Sequence, residues 1–533
     1  MAAAFLPLRR SARRAPLALW PPGLAVVLAT LVPAWYLFRR STERGWAPWE
    51  EVLRDAAWPL LARSLQLSLV VAVACILVAL PAAWLTTRTD LPFRRTWSVL
   101  MAAPLAIPSY VMGMTVVEFL GPKGMLQGWL EPFGVERLPE VYGLWGAAYT
   151  LTAVSFPYVY LVLRGALAAA SSAEEEASRS LGVAPWPTFF RVVLPGLVPA
   201  LAAGLLLVIL YVLSDFGGVS TLNYTTFTRD IFIEYQTSFD RTRAAILACV
   251  LVAVAAVILV AELTVRRRAA GRTSRRSAPP RPVPLGRWRW PAVAFLALVV
   301  LASLALPLGV LGYWLARGLQ VGANFPDIGE AARHSLLLAL AAAGLTVALA
   351  LPLAILAARY GGPGAAALEQ TAYLTHALPG LVVALSLVFF GIRYAQPLYQ
   401  TTWMLLFAYL VLFVPNALSA LRANLLRLPP RLEEAGTSLG RPPLRVLATV
   451  TIPLARPGMA AAAALVFLTV LKELPATLLL SPPGFETLPG LVWGRTSDAL
   501  YAGAALPALV LVGLALIPLV VLAWRGDPAT LES

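Results

Sequence analysis

Apolar residues fall in long unbroken runs separated by short polar segments, not at the three-to-four-residue spacing of a water-facing helix. Runs at 17–38, 64–86, 97–120, 143–166, 196–214, 243–265, 291–316, 335–358, 370–392, 401–421, 458–474 and 501–524 are the elements the pattern predicts. Crossing ~30 Å of hydrocarbon takes about twenty such residues in a helix, so the chain reads as an all-α polytopic membrane protein with about 12 transmembrane helices. The runs 196–214 and 458–474 are the shortest, and both run into acidic residues.

The polar segments between runs carry a repeat. SSAEEEASRSLGVAPWPTFFRVVLPGLVP (171–199) and EEAGTSLGRPPLRVLATVTIPLARPG (433–458) align without a gap. Glu176, Ala177, Ser180, Leu181, Gly182 and Pro195 fall on Glu434, Ala435, Ser438, Leu439, Gly440 and Pro453, all 258 positions on. Each copy predicts two short helices broken at glycine. Ser171 and Ser172, three residues ahead of Glu174 and Glu175, have capping-box spacing. The second copy opens on Pro429 and Pro430, which a first helical turn tolerates. Glutamates sit at the positive end of each helix, and Gly182 and Gly440 suit the left-handed residue that ends one. Proline then marks the start of the next span.

The repeat reaches further. Ser64, Pro81, Arg88 and Pro108 match Ser335, Pro352, Arg359 and Pro379 at an offset of 271, so the first half carries 13 extra residues before its loop, within 121–143. Six spans separate equivalent points, which makes the halves parallel six-helix repeats. The expected domains are 1–275, a first repeat with an N-terminal anchor helix, and 276–533, a second repeat. The Arg/Pro-rich segment 266–290 is the linker between them.

Composition agrees: 59% of residues are hydrophobic, 13% charged, and mean hydropathy is +0.75. A net charge of +15 raises nucleic acid as a partner, but the basic residues lie between apolar spans, where anionic lipid headgroups are the nearer match. With the N-terminus inside, 27 of the 42 Lys and Arg fall in cytoplasmic segments and 15 outside, Lys472 among the latter. That orientation puts both termini and both repeated loops in the cytoplasm; Arg39 and Arg40 are on the wrong side of it. The N-terminal run follows Arg9, Arg10, Arg13 and Arg14 without a clear cleavage site, and reads as a retained anchor.

The pattern E-A-x-x-x-x-G followed by a proline thirteen residues on resembles the EAA loop of bacterial ABC importer permeases of the type I, fused two-domain kind. The stretches APLAIPSYVMGMTVVEFLGPKGML, YVLSDFGGVSTLNYTTFTRDIF and KELPATLLLSPPGFETLPGLVWG are similar to those of the ferric-iron group, with thiamine and polyamine permeases as near relatives. The resemblance implies a plasma-membrane transport subunit of an ATP-driven importer, with an extracytoplasmic binding protein supplying most of the selectivity. It implies docking of a separate cytoplasmic ATPase, in two copies, at Glu176, Ala177, Gly182, Pro195, Glu434, Ala435, Gly440 and Pro453. The third motif position is Ser178 in one copy and Gly436 in the other, where the family often has alanine. A glycine there loosens a helix by about 1 kcal/mol, so the second loop helix is expected to be the weaker.

No catalytic constellation is visible. A P-loop needs a lysine in G-x-x-x-x-G-K-[ST]; Lys123 and Lys472, the two lysines, lack that context. Cys75 and Cys249 lie within spans, and His334 and His376 have no ligand spacing, so neither a metal site nor a cofactor is expected. Charge at span edges carries more information. Asp215 and Glu473 are repeat equivalents, each after the fifth span of its half. They read either as a pathway-facing pair that attracts a cation or as solvated outer-end residues. Glu118, two turns beyond Tyr110, has Phe389 as its repeat partner and is a weaker pathway candidate, with Tyr110 beside it. The alternatives are a twelve-span secondary transporter, which has no need of two such loops, and a membrane receptor or scaffold, which has no need of the symmetric repeat.

Overall fold

The computed structural model describes residues 15–170, 173–238, 241–270, 282–322 and 327–525. Among these the regular elements are all helices, with one isolated parallel bridge, Thr89 to Val283. Ten helices are long and apolar enough to cross a membrane, and two sharply bent helix pairs bring the number to as many as twelve. Their outer faces carry Leu69, Leu77, Val257, Leu298 and Ile517, each more than half exposed. Such a belt is stable only where hydrocarbon is the solvent.

The bent pairs correct two expected spans. Residues 97–120 and 370–392 are not single helices: Arg94–Ala106 and Ser109–Phe133 meet at 95°, and Gly362–Ala377 and Gly380–Tyr394 at 101°. Pro108 and Pro379 cause the breaks. The proline ring bars its predecessor from the helical region, and Ile107 and Leu378 are extended, with ψ of 120° and 110°. Two further spans are longer than their apolar runs. They extend over Phe189–Ser214 and Pro443–Leu471, because the stretch after each loop glycine already belongs to the helix. Pro195 and Pro453 therefore lie inside these helices rather than at their start. Each follows a wide π-turn, Phe189–Val193 and Leu447–Thr451, of the kind that accommodates local strain in a helix; here it lies where proline lacks an N–H and crowds the preceding turn.

In the first half Trp58–Arg88 packs on Leu144–Ala169 and Leu194–Ser214; in the second, Ile328–Ile355 packs on Thr402–Arg427 and Ile452–Leu471. The symmetry extends to single hydrogen bonds. Ser64 Oγ accepts the Phe227 N–H at 3.3 Å, and Ser335 Oγ accepts the Leu488 N–H at 2.8 Å. The leading helices bridge the halves, each packing on a helix of its own half, Thr242–Ala270 or Tyr501–Arg525, as well as on the other half. Trp20–Thr42 packs on Ile328–Ile355 and Gly380–Tyr394, while Leu306–Gln320 packs on Ser109–Leu120. Tyr36 meets Phe390 and Tyr394 edge-on at 6.1 and 5.9 Å, and Tyr149 Oη donates to the Ala302 carbonyl at 2.8 Å. Arg39 and Arg40, misplaced by the charge count, have local partners. Arg40 pairs with Glu43, and Arg39 lies 5.4 Å from the centre of the Tyr394 ring.

The described end of the linker is stitched to the first half. Val283 N–H donates to the Arg88 carbonyl at 2.8 Å, and Leu285 N–H to Asp90 Oδ1 at 2.8 Å. From there one span runs to Gln320 and the next returns to Arg359. Arg88 and Arg359 thus end their core spans on the same face of the molecule.

Candidate functional site

Both repeated loops lie on that face. The first loop helix is Ala173–Ser180 and the second Arg431–Ser438. The capping serines expected at 171 and 172 lie outside the described residues. In the second copy the Pro430 carbonyl accepts the Glu433 and Glu434 N–H groups at 3.0 and 3.1 Å. Gly182 and Gly440 both have φ of +78°, the left-handed value an L side chain resists. Across each turn a 6→1 bond closes the helix end: Val183 N–H to Ser178 O at 3.2 Å, and Arg441 N–H to Gly436 O at 3.3 Å.

Glu176, Ala177, Gly182, Glu434, Ala435 and Gly440 are all exposed. So are Leu181 and Leu439, at 84% and 80%, and the sequence reading assigned them no part. Pro195 is exposed and Pro453 half-buried, each inside the span helix that follows the loop glycine.

Glycine at 436 has a packing reason. A Cβ there would lie 3.1 Å from Val446 Cγ2, so the second loop closes tightly on itself. In the first copy the equivalent residues, Ser178 and Thr188, share a hydrogen bond of 2.9 Å. A polar pair in one half is replaced by a close apolar contact in the other, which works against the expected weakness of the second helix.

What the sequence reading missed is the residue before each motif glutamate. Glu175 Oε1 lies 3.2 Å from Arg88 Nη1, and Glu433 Oε1 lies 2.7 Å from Arg359 Nε. Both arginines are nearly buried, at 3% and 7% side-chain exposure. Arg359 also donates to the Leu428 carbonyl at 3.2 Å, and Thr451 Oγ1 donates to Glu433 Oε1 at 3.0 Å. The available signal was that Arg88/Arg359 and Glu175/Glu433 are both repeat equivalents of opposite charge. The two pairs repeat at different offsets, which concealed their contact.

Of the acidic equivalents at the other candidate site, Asp215 is buried and Glu473 half-buried. Asp215 is 7% exposed, and its Oδ1 accepts the N–H groups of Gly218 and Val219 at 2.9 and 3.2 Å, capping the short helix Gly217–Thr221. The Glu473 carboxylate accepts the Ala476 N–H at 3.2 Å, and its carbonyl accepts Thr477 Oγ1 at 2.6 Å. Beside Asp215, across the Gly218 backbone, stands Ser109. The repeat equivalent, Gly380, leaves space for the longer glutamate, since a Cβ there would collide with Glu473 Oε1. Tyr110 is buried nearby, and its hydroxyl has no hydrogen-bond partner among the described residues. Lys472, counted with the outer segments from the sequence, is instead half-buried at the seam between the halves and donates from Nζ to the Leu105 carbonyl of the other half at 2.7 Å. Phe216 and Trp493 meet across the seam at 5.2 Å. Glu118 stands apart, about 12 Å along its helix from Tyr110.

His334 stacks on Phe485 at 4.2 Å, with Nδ1 3.0 Å from the Glu486 carbonyl, a structural setting. Among the described residues no group of three or more His, Cys, Asp or Glu is arranged to hold a metal ion.

Comparison with known proteins bears on what these loops serve. The family described as "Binding-protein-dependent transport system inner membrane component" matches residues 76–269 and again 350–525, one match per half and each spanning one loop. Among relatives, the "Fe(3+)-transport system permease protein FbpB 2" of Haemophilus influenzae is 36% identical over 517 residues, 96% of this chain and 98% of that protein. The "Sulfate transport system permease protein CysT" of Escherichia coli is 30% identical over 255 residues, 46% of this chain and 90% of that protein. A shorter permease of that kind thus spans about one half of the present chain, whereas the iron-transport relative runs its full length. With one match in each half, the alternatives of a secondary transporter and a receptor fall away: the chain belongs to the family of binding-protein-dependent transport system inner membrane components, with both transmembrane units on one polypeptide.

Proposed function

We propose that this chain is the permease of an ATP-driven importer of ferric iron, coupled at its two loops to two copies of a separate cytoplasmic ATPase. In this reading Glu176, Ala177, Gly182, Glu434, Ala435 and Gly440 form the docking surface, with Leu181 and Leu439 as its apolar centres. Pro195 and Pro453 begin the rigid part of the spans that receive the movement. The observation that carries the coupling role is the pair of equivalent loop helices on one face, each ended by a left-handed glycine and each pinned to a core span. The chain supplies no ATPase site of its own, and a binding protein delivers cargo at the opposite face.

Ferric iron is favoured by the relative that matches end to end and is named for Fe(3+) transport. Fe³⁺ is a hard cation that prefers oxygen ligands. Asp215, Glu473 and the unpartnered Tyr110 hydroxyl supply oxygen at the seam, where a cation passing between the halves meets carboxylates rather than thiolates that would retain it. Glu118 lies off this line. The deciding measurement is uptake of radiolabelled Fe³⁺, sulfate, thiamine and putrescine in cells with and without this chain. Loss of iron uptake alone is expected; loss of another uptake with iron intact overturns the cargo and leaves the importer reading standing.

A further inference from the structure

We propose that Arg88 and Arg359 are positioning residues that transmit force between the loop helices and the core spans, through the ion pairs Arg88–Glu175 and Arg359–Glu433. This deepens the coupling reading and rests on it. It divides the adjacent glutamates of each loop into two roles: Glu176 and Glu434 face outward to the partner, while Glu175 and Glu433 hold the helix to the membrane domain.

Four observations carry it. First, the contact is made twice, although 87 positions separate the partners in one half and 74 in the other. The 13 additional residues of the first half leave it intact, so the contact is not a by-product of chain register. Second, each arginine lies at the end of a long core helix, Trp58–Arg88 or Ile328–Tyr360, and a push on the loop helix enters that helix along its length. Third, both arginines are almost wholly buried. A guanidinium does not lose its charge; Arg359 Nε donates a directed hydrogen bond to Glu433 Oε1, whereas Arg88, with no hydrogen-bond partner among the described residues, meets Glu175 as a buried charge alone. Separating either arginine from its carboxylate would strand a buried charge, so the loop helix and the core span move together or not at all. Fourth, the second pair is a junction of three spans. Arg359 also holds the Leu428 carbonyl at the end of the preceding span, and Thr451 of the following span donates to Glu433. In the first half Val193 occupies the position equivalent to Thr451, so that pair stands with fewer partners.

The asymmetry makes the test specific. The full chain is purified with its cognate ATPase, reconstituted with its binding protein, and assayed for labelled Fe³⁺ taken up per ATP hydrolysed. Arg88→Glu and Arg359→Glu are each expected to lower that ratio by at least about tenfold, since each leaves like charges buried together. The exchange Arg88→Glu with Glu175→Arg should restore it to within about threefold, as expected of directly coupled sites. The exchange Arg359→Glu with Glu433→Arg should restore less, because Leu428 and Thr451 then face the wrong charge.

A second readout needs no ATPase. A nitroxide on Leu439→Cys, in a Cys75→Ala/Cys249→Ala background in nanodiscs, should gain mobility with Arg359→Glu and lose part of that gain in the exchange. Single variants that couple like the parent with the nitroxide unchanged, or exchanges no better than the single variants, overturn the inference while leaving ATPase docking intact. A parent chain that retains no ATPase overturns the docking reading itself, and this inference with it. If reversed charges prevent insertion, Arg88→Lys and Arg359→Lys decide: coupling well above that of Arg→Met supports the pair, and coupling equal to it overturns the pair.

Discussion

Gly182 and Gly440 offer a test in which the magnitude follows from geometry alone. Both sit at φ of +78°, and a Cβ built at either position meets nothing within 4 Å. Substitution by alanine therefore adds no clash; its cost is the backbone conformation, about 1–2 kcal/mol for an L-residue in the left-handed region. If the ATPase binds the turn as seen, that energy appears as a loss of affinity of about 5- to 30-fold per loop. Asparagine tolerates the left-handed region and should lose only a few-fold, whereas valine, branched at Cβ, should lose more than alanine. The assay is titration of the ATPase onto the chain in nanodiscs, with Gly440→Asn, Gly440→Ala and Gly440→Val in a Gly182→Ala background. Substrate-stimulated ATP hydrolysis is followed in parallel, and insertion should be unaffected because the position is exposed. An affinity order set by side-chain volume, with asparagine worse than alanine, would show that bulk in a groove decides and would refute the conformational argument. No change across the series would remove the turn from the docking surface altogether.

Three further outcomes follow from the same structure. Gly436→Ser should lower the thermal stability of the second loop, read by hydrogen exchange at residues 433–446, because its Cβ would press on Val446; adding Val446→Thr should recover part of the loss by recreating the Ser178–Thr188 pair. Lys472→Met should lower the melting temperature of the purified chain by the equivalent of about 1–3 kcal/mol, since the buried Leu105 carbonyl loses its donor, and an unchanged melting curve would count against a seam contact. Asp215→Asn with Glu473→Gln should slow iron uptake by more than the two single effects together, as groups acting on one pathway do. Asp215→Ala should in addition cost about 1 kcal/mol in stability for the lost helix cap, and strict additivity in uptake would return both acids to a capping role alone.

Hydropathy made the helices legible because hydrocarbon imposes a length on every apolar run, yet it treats a run as a straight rod. Pro108 and Pro379 were visible as repeat partners, but the bends they cause depend on the residue before each proline, and Ile107 and Leu378 are unremarkable in an apolar window. Lys472 was counted as an outer residue for a related reason. A charge ends a span when charge is scored against lipid, whereas in the fold the lysine has an acceptor at Leu105, 367 positions away. The loops were the most legible feature because one offset relates all their matched positions, and the buried ion pairs beneath them were the least, because their partners repeat at 271 and 258. That difference carries a physical point. If the loops dock two copies of one ATPase, as proposed, their surface has to match a symmetric partner, and its two copies do stay in register, with glycine at the same φ and leucine exposed at the same place. The supports beneath each loop need only deliver it to the same position. There the halves diverge: Ser178–Thr188 against Gly436–Val446, and a two-residue clamp against a three-span junction. On the proposed docking of two identical subunits, the chain is constrained at the surface they touch and free in how it builds that surface from below.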